Sequence, residues 1–341
     1  MSNNPPIEVP QGAIRLNTDS QKLEFFAQDR WYQMATEFSS PIAGRGLMFS
    51  GYVSPSNTNI IDYINIQTTG DSVDFGDLTD NDTDFGSGYG NQTRAVYAGG
   101  QNPLTDVISF VTIATQGNAA DFGDMLSSQA FSVGFVGDSS RAVLGGGITP
   151  SVTDTMQFIT MASTADAIDF GNLTQGRQSG QSVNSRTRGI YGGGGQPAPN
   201  AHNIMDFITI QSTGDALDFG DLASAGRLGG SVCNAVRGIF AGDYGVGSPY
   251  PQTNVIQFIT MASTGNAQDF GDLMQPINDS TGQMCDSTRG VFVHGYSPSP
   301  HGYNNAMSYI NIATKGNSVN FGDRTSNTAG TGRASNTHGG L

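Results

Sequence analysis

The chain has 341 residues, 47 of them glycine, and lysine occurs only at Lys22 and Lys315. A formal net charge of −14 with no basic cluster excludes nucleic acid as a partner, because phosphate backbones are bound by Lys and Arg. No apolar run is long enough to cross a bilayer as a helix, and the opening MSNNPPIEVPQG lacks the charged and apolar regions of a secretory signal, so neither membrane insertion nor secretion is expected.

Thr, Ser, Asn, Gly, Ile, Val and Phe dominate over the blend typical of surface helices, which predicts an all-β chain of short strands and turns. In chain order, GAIRLNTDSQKLEFFAQDRWYQM (residues 12–34) comes first. Its alternation predicts a meander of Gly12–Leu16, Lys22–Phe26 and Trp31–Met34, within an N-terminal domain of residues 1–37. Three short strands bury too little surface alone, so Phe25, Phe26 and Trp31 are candidates for covering by another subunit or by the rest of the chain. The run G-A-I-R-x-N-T-D-S-x-K-L-E-F-F…W resembles a short module of tail-fibre and other structural proteins of tailed bacteriophages. That resemblance implies an assembly or attachment element present in multiple copies.

From residue 38 one unit recurs. Phe-Gly stands at Phe75, Phe122, Phe170, Phe219, Phe270 and Phe321, with spacings of 47, 48, 49, 51 and 51 residues. Twelve residues before each stands another aromatic: Tyr63, Phe110, Phe158, Phe207, Phe258 and Tyr309. The text between, as in FITIQSTGDALDFGDL, predicts a β-hairpin closed at Thr-x-Gly. Upstream lie a small-residue strand and a strand running into glycines, as in GGSVCNA and RGIYGGG. Four short strands at this period describe one propeller blade. The pattern resembles the kelch repeat over roughly residues 38–341, with Phe where kelch blades carry Trp, and implies a six-bladed β-propeller of four-stranded antiparallel blades. The tail GTGRASNTHGGL repeats the small-residue strand, with His338 at the repeat-arginine position. Residues about 329–337 are therefore expected to complete the blade begun at Arg45, leaving no open ring edge.

Asp-Phe-Gly also occurs in protein kinases, where it holds magnesium, but its recurrence at the repeat positions (as Asn-Phe-Gly in the sixth) without a phosphate loop or a His-Arg-Asp loop points to scaffold. Each Phe is expected to fill space between sheets, with Gly allowing close backbone approach. The flanking Asp74, Asp121, Asp169, Asp218, Asp269 and Asn320 are expected to accept bonds from the repeat arginines Arg45, Arg94, Arg141, Arg188, Arg237 and Arg289. Calcium at Asp215, Asp218 and Asp221 is the alternative, but their spacing of three does not match an EF-hand loop and no closing Glu follows. Cys233 and Cys285 occupy equivalent places in consecutive units, expected to be too far apart for a bridge. His202, His294, His301 and His338 lack zinc-site spacing and read as solvated loop residues. No catalytic constellation, cofactor or metal is expected.

Length varies in one place. The distance from repeat arginine to the next aromatic runs from 16 to 21 residues, and the loop between second and third strands absorbs it. These loops hold Tyr52, Tyr244, Tyr250, Tyr296 and Tyr303, with His301 beside the last, and Tyr suits sugar faces or protein surfaces. The repeated STGDALDFGDL text resembles repeats in structural proteins of marine cyanophages. Together the resemblances imply a non-enzymatic virion protein exposed on the particle, a tail-fibre or spike component touching a host glycan or protein through this loop face. Alternatives are a capsid or tail decoration protein packed on other virion proteins, and a carbohydrate-active enzyme on a propeller scaffold.

Overall fold

The computed structural model describes residues 9–17, 22–33, 44–53, 55–79, 83–196, 200–244, 252–277, 280–297 and 302–341, and none of them is helical. Two compact units divide between Ala43 and Gly44, beyond the 37/38 boundary read from the sequence. In the first, β1 (Ile14–Asn17), β2 (Lys22–Ala27) and β3 (Arg30–Gln33) form an antiparallel meander. Gln28 and Asp29 turn β2 into β3 with positive φ of 47° and 59°, the geometry that follows strand twist in a two-residue hairpin.

The second unit is a succession of antiparallel sheets, a propeller-like all-β fold. It opens with β4 (Arg45–Val53), β5 (Ser56–Asn65) and β6 (Val73–Asp77). Four four-stranded sheets follow, each pairing its strands in chain order. The first holds β7 (Ser87–Gly90), β8 (Arg94–Ala98), β9 (Val107–Thr112) and β10 (Ala120–Asp124). The second holds β11 (Gly134–Gly137), β12 (Arg141–Ile148), β13 (Val152–Thr160) and β14 (Ile168–Asn172). The third holds β15 (Gln181–Asn184), β16 (Arg188–Gly192), β17 (Ile204–Thr209) and β18 (Leu217–Asp221). The fourth holds β19 (Gly230–Cys233), β20 (Arg237–Tyr244), β21 (Gln252–Thr260) and β22 (Gln268–Asp272). The chain continues through β23 (Ser280–Gly282), β24 (Arg289–Val293), β25 (Tyr296–Ser297), β26 (Gly302–Tyr303), β27 (Ala306–Asn311), β28 (Val319–Asp323) and β29 (Thr331–Ser335).

β29 pairs antiparallel with β4, Gly332 opposite Phe49, and on its other side pairs parallel with β23. The sequence reading gave it one neighbour; it has two. The sheet β24–β27–β28 has three strands where four were predicted, because β23 lies along β29 and the segment meets its own sheet only beyond β23, through the bridge between Cys285 and Gly290 and the bond from Val291 N to Met284 O at 2.8 Å. Gly282 permits this with φ of 110° and no side chain against the backbone of Arg333.

The repeat residues join one sheet to the next. Each of the six repeat phenylalanines, Phe75, Phe122, Phe170, Phe219, Phe270 and Phe321, is at most 2% exposed and meets the aromatic twelve residues earlier edge-on, at 5.8–6.1 Å between centroids. Phe75 shares a cluster with Phe49 and Ile61 of its own sheet and with Val111 and Ile113 of the next. Gly220, at φ 137°, leaves no room for a side chain: a Cβ would stand 2.7 Å from Gly265 in the next sheet's Thr-x-Gly turn. Gly265 N donates to Phe219 O at 2.8 Å, and the same bond joins Gly117 to Phe75, Gly214 to Phe170, Gly316 to Phe270 and Gly70 to Phe321. Each of these outer strands is thus covered in part by the following turn, which protects an edge that would otherwise pair with other chains.

The arginines do not meet the flanking acids. Each guanidinium lies 4.2–5.0 Å over the first aromatic of its own hairpin. Each then donates to a main-chain carbonyl of the next sheet at 2.7–3.1 Å: Arg45 to Ile113, Arg94 to Met161, Arg141 to Ile210, Arg188 to Met261, Arg237 to Ile312 and Arg289 to Ile66. Asp74, Asp121, Asp169, Asp218, Asp269 and Asn320 stay exposed on the outer strands, where water serves them. A half-buried carbonyl has more need of a charged donor than a solvated carboxylate does.

Candidate functional site

Antiparallel order puts the loops between second and third strands at one end of the sheets and the Thr-x-Gly turns at the other. At the loop end, β4 carries a bulge between Phe49 and Gly51, with Ser50 at φ 55° and Gly51 at φ 126°. The bulge re-aims the strand so that Tyr52 bridges Ala329, its N donating to Ala329 O at 2.6 Å. Far along the chain, β25 and β26 form a small hairpin that sets Tyr296 directly opposite Tyr303. The rings of Tyr52 and Tyr303 then stand 5.7 Å apart at 52°, and those of Tyr296 and Tyr303 5.1 Å apart at 60°. Tyr303 is 38% exposed, and the other two are half-buried beside it.

Three of the five loop tyrosines are therefore one cluster, built from the first and last of these loops in chain order. Such a cluster offers an aromatic surface with polar tips, able to stack on an apolar ring face and to exchange hydrogen bonds at its edge. Tyr250 and His301 lie outside the described residues, as does the side chain of Tyr244, whose backbone ends β20.

Buried charge supports this end of the sheets. Arg177 and Asp206 form an ion pair at 2.8 Å, and Arg324 and Asp62 form one at 3.1 Å, all four side chains fully buried. Thr174 and Thr325 donate their hydroxyls to the same two carboxylates. Elsewhere the equivalent contact is neutral, with the amides of Leu126 and Ala223 bonded to Gln157 and Gln257.

The innermost strands are packed against one another. Gln283 donates to Ser182 O at 3.0 Å and to Asn184 Oδ1 at 2.7 Å, and Arg333, 1% exposed, donates to Val293 O at 2.8 Å. Cys233 and Cys285 are free, fully buried and closer than expected, with Cys233 N donating to Cys285 Sγ at 3.3 Å. Consecutive sheets converge here, so equivalent positions that would be distant at the rim meet.

His338 is likewise buried and does not stand where the sequence reading put it. Arg45 itself fills that place: Asn336 Oδ1 accepts Arg45 N at 2.8 Å, as Asn91 Oδ1 accepts Arg94 N at 2.8 Å. His338 turns inward and bonds Gly90 O through Nε2 at 2.6 Å. His294, 1% exposed, bonds Ser308, and half-buried His202 meets Gln175, so these three are not solvated loop residues. Burial pulls both His294 and His338 down to about 4.

The turn end holds an open depression of about 410 Å³ lined by Ser185, Arg186, Thr187, Arg188, Ala235, Met261 and Ala262, which sequence reasoning did not single out. Its signal was faint: Arg186 precedes the repeat arginine of its own turn by two residues and donates to Leu341 O at 2.9 Å. Among the described residues no group of three or more His, Cys, Asp or Glu could hold a metal ion. Asp215 instead accepts the Asn172 amide of the preceding sheet at 2.9 Å.

No protein-family model matches the chain, and no curated protein matches it. Among solved structures, the one described as "Structure of YjhT" is similar in fold, with a TM-score of 0.58 at 10% identity, covering 74% of this chain and 90% of that chain. Likeness at that identity concerns the fold alone.

Proposed function

We propose that the second unit is a six-bladed kelch-like β-propeller whose first blade is completed by β29, and that the chain is a structural protein of a tailed-bacteriophage particle. It works as a tail-fibre or spike component, binding a host surface glycan or protein through the loop face without chemical turnover. The recurrent arginine and Phe-Gly contacts support the ring, since Arg289 reaches Ile66 and Gly70 reaches Phe321. The particle reading rests on the N-terminal run and the repeated STGDALDFGDL text. The observation that carries binding is the tyrosine cluster, because Tyr52 and Tyr303 are drawn together from distant loops on the variable end of an otherwise regular scaffold.

A decoration protein packed on other virion proteins is the second reading. Favouring it, Val73, Ile168, Leu217 and Val319, each two residues before a repeat Phe, are 49–62% exposed on the outer strands. An enzyme acting on carbohydrate is the reading from another class, and release of reducing sugar from envelope polysaccharide would establish it.

The test is binding of the purified chain to immobilised envelope polysaccharide from cyanobacterial cells, and its competition with particle adsorption. Tyr303→Ala is expected to weaken binding about three- to tenfold while leaving the unfolding transition in place. A native chain that neither binds nor competes, or a Tyr303→Ala variant that binds as well as the native chain, would count against the proposal.

A further inference from the structure

The chain's two cysteines fall at one place in the molecule. Cys233 ends β19 opposite Gly238 of β20, and Cys285 follows β23 and bridges Gly290. At the same position the other inner strands carry Gly90, Gly137, Asn184 and Ser335. A parallel bridge between Ser231 and Gln283 sets the two cysteine-bearing segments side by side, and each cysteine stands two residues further along. That register turns both side chains to one face of strands about 4.8 Å apart. A disulfide spans Cα separations of about 4.4–6.8 Å, so the backbone is already within range. Contact follows the register. Cys233 N donates to Cys285 Sγ at 3.3 Å, while Cys285 N donates to Ser335 Oγ at 3.2 Å and so holds its place against β29. Burial pushes the Cys285 thiol well above its ordinary range, and its side-chain hydrogen bond with Cys233 adds to that.

We propose that Cys233 and Cys285 are a covalent cross-linking site, joined as an internal disulfide by exchange with a small-molecule disulfide of the glutathione type. One protein thiolate attacks a sulfur of the small disulfide and expels the first small thiolate. The second protein thiolate attacks the protein sulfur of that mixed disulfide and expels the other. Two protein thiols are oxidised, one small disulfide is reduced to two thiols, and those thiols carry off the two protons. Both cysteines are fully buried and the reaction needs a thiolate, so exchange takes place during folding or on local opening of this segment. The cross-link has most to hold here, because β23 leaves its own sheet to lie along β29. A bond to Cys233 fastens that segment to β19 and closes a loop across 52 residues, which restricts the unfolded chain. The inference holds whatever the loop face binds.

Intact-mass measurement of the purified full chain tests it after two treatments. One is prolonged incubation with oxidised glutathione at about pH 8.5, and the other is urea unfolding followed by dilution into mixed reduced and oxidised glutathione. Each sample is then unfolded and exposed to iodoacetamide. The expected product is lighter than the reduced chain by two hydrogens, takes no iodoacetamide, and on trypsin digestion releases residues 228–237 joined to 238–289. It should also unfold at a urea midpoint higher by about 1 M, a gain absent from Cys285→Ser. Two alkylated cysteines after both treatments overturn the proposal, as do glutathione adducts or linked dimers in place of the internal bond. An internal bond that leaves the midpoint unchanged overturns its fastening role.

Discussion

A side chain of the repeat acts here across the gap between sheets. Phe219 is 1% exposed in a cluster that includes Ile256 and Ile259 of the following sheet, so Phe219→Ala should cost about 3–5 kcal/mol in urea unfolding. Gly220→Ala should also be strongly destabilising, because φ 137° is unfavourable for Ala and the added Cβ meets Gly265. The buried histidines give the fold an acid limit. Unfolded imidazoles titrate near 6.5, while burial holds His338 at about 4, and burial followed by the charge of Arg333 holds His294 at about 4. Between those values the unfolded chain takes up protons that the native chain does not, so stability present above about pH 6.5 is lost as pH falls toward 4. Asp84, raised by burial to about 6, acts with the opposite sign, so two histidines work against one carboxyl. The urea midpoint should fall between about pH 7 and about pH 5, and His338→Gln should flatten that dependence whatever its own stability. A midpoint indifferent to pH over this range would contradict the assignment.

At the scale of strands and turns, the junction of β29 with β4 repeats a device used inside continuous chain. Asn91 caps the turn before Arg94, and Asn336 caps Arg45 across 291 residues. Asn91→Ala and Asn336→Ala should each cost about 0.5–1.5 kcal/mol by chemical denaturation, and a neutral effect at Asn336 alone would show that the junction does not hold in solution. The repeat itself was legible, since a constant interval from aromatic to Phe-Gly reports a constant hairpin. The partners of the arginines were not, because their carbonyl acceptors lie in the next sheet and carry no side-chain signature. Nor was the tyrosine cluster: composition marked Tyr52, Tyr296 and Tyr303 as candidates, but only the packing of first and last loops makes them neighbours. In the first unit, strict alternation separates Phe26, which packs on Trp31 at 5.3 Å, from Ile14, Leu16 and Phe25 on the other face, whereas attention to aromatic type alone mixed the two.

For the whole molecule, the proposed recognition surface lies where the regularity of the scaffold stops. The aromatic cluster sits on the variable end, and the acidic residues before the repeat phenylalanines are exposed along the outer strands. A fibre component needs its loop end free, whereas a decoration protein would cover the outer strands with neighbours. A particle reconstruction at side-chain resolution separates these most directly. The account predicts the chain in the tail fibre or spike, with Tyr52, Tyr296 and Tyr303 facing away from the particle. Absence of the chain from the particle, or those three tyrosines buried against another virion protein, would contradict it.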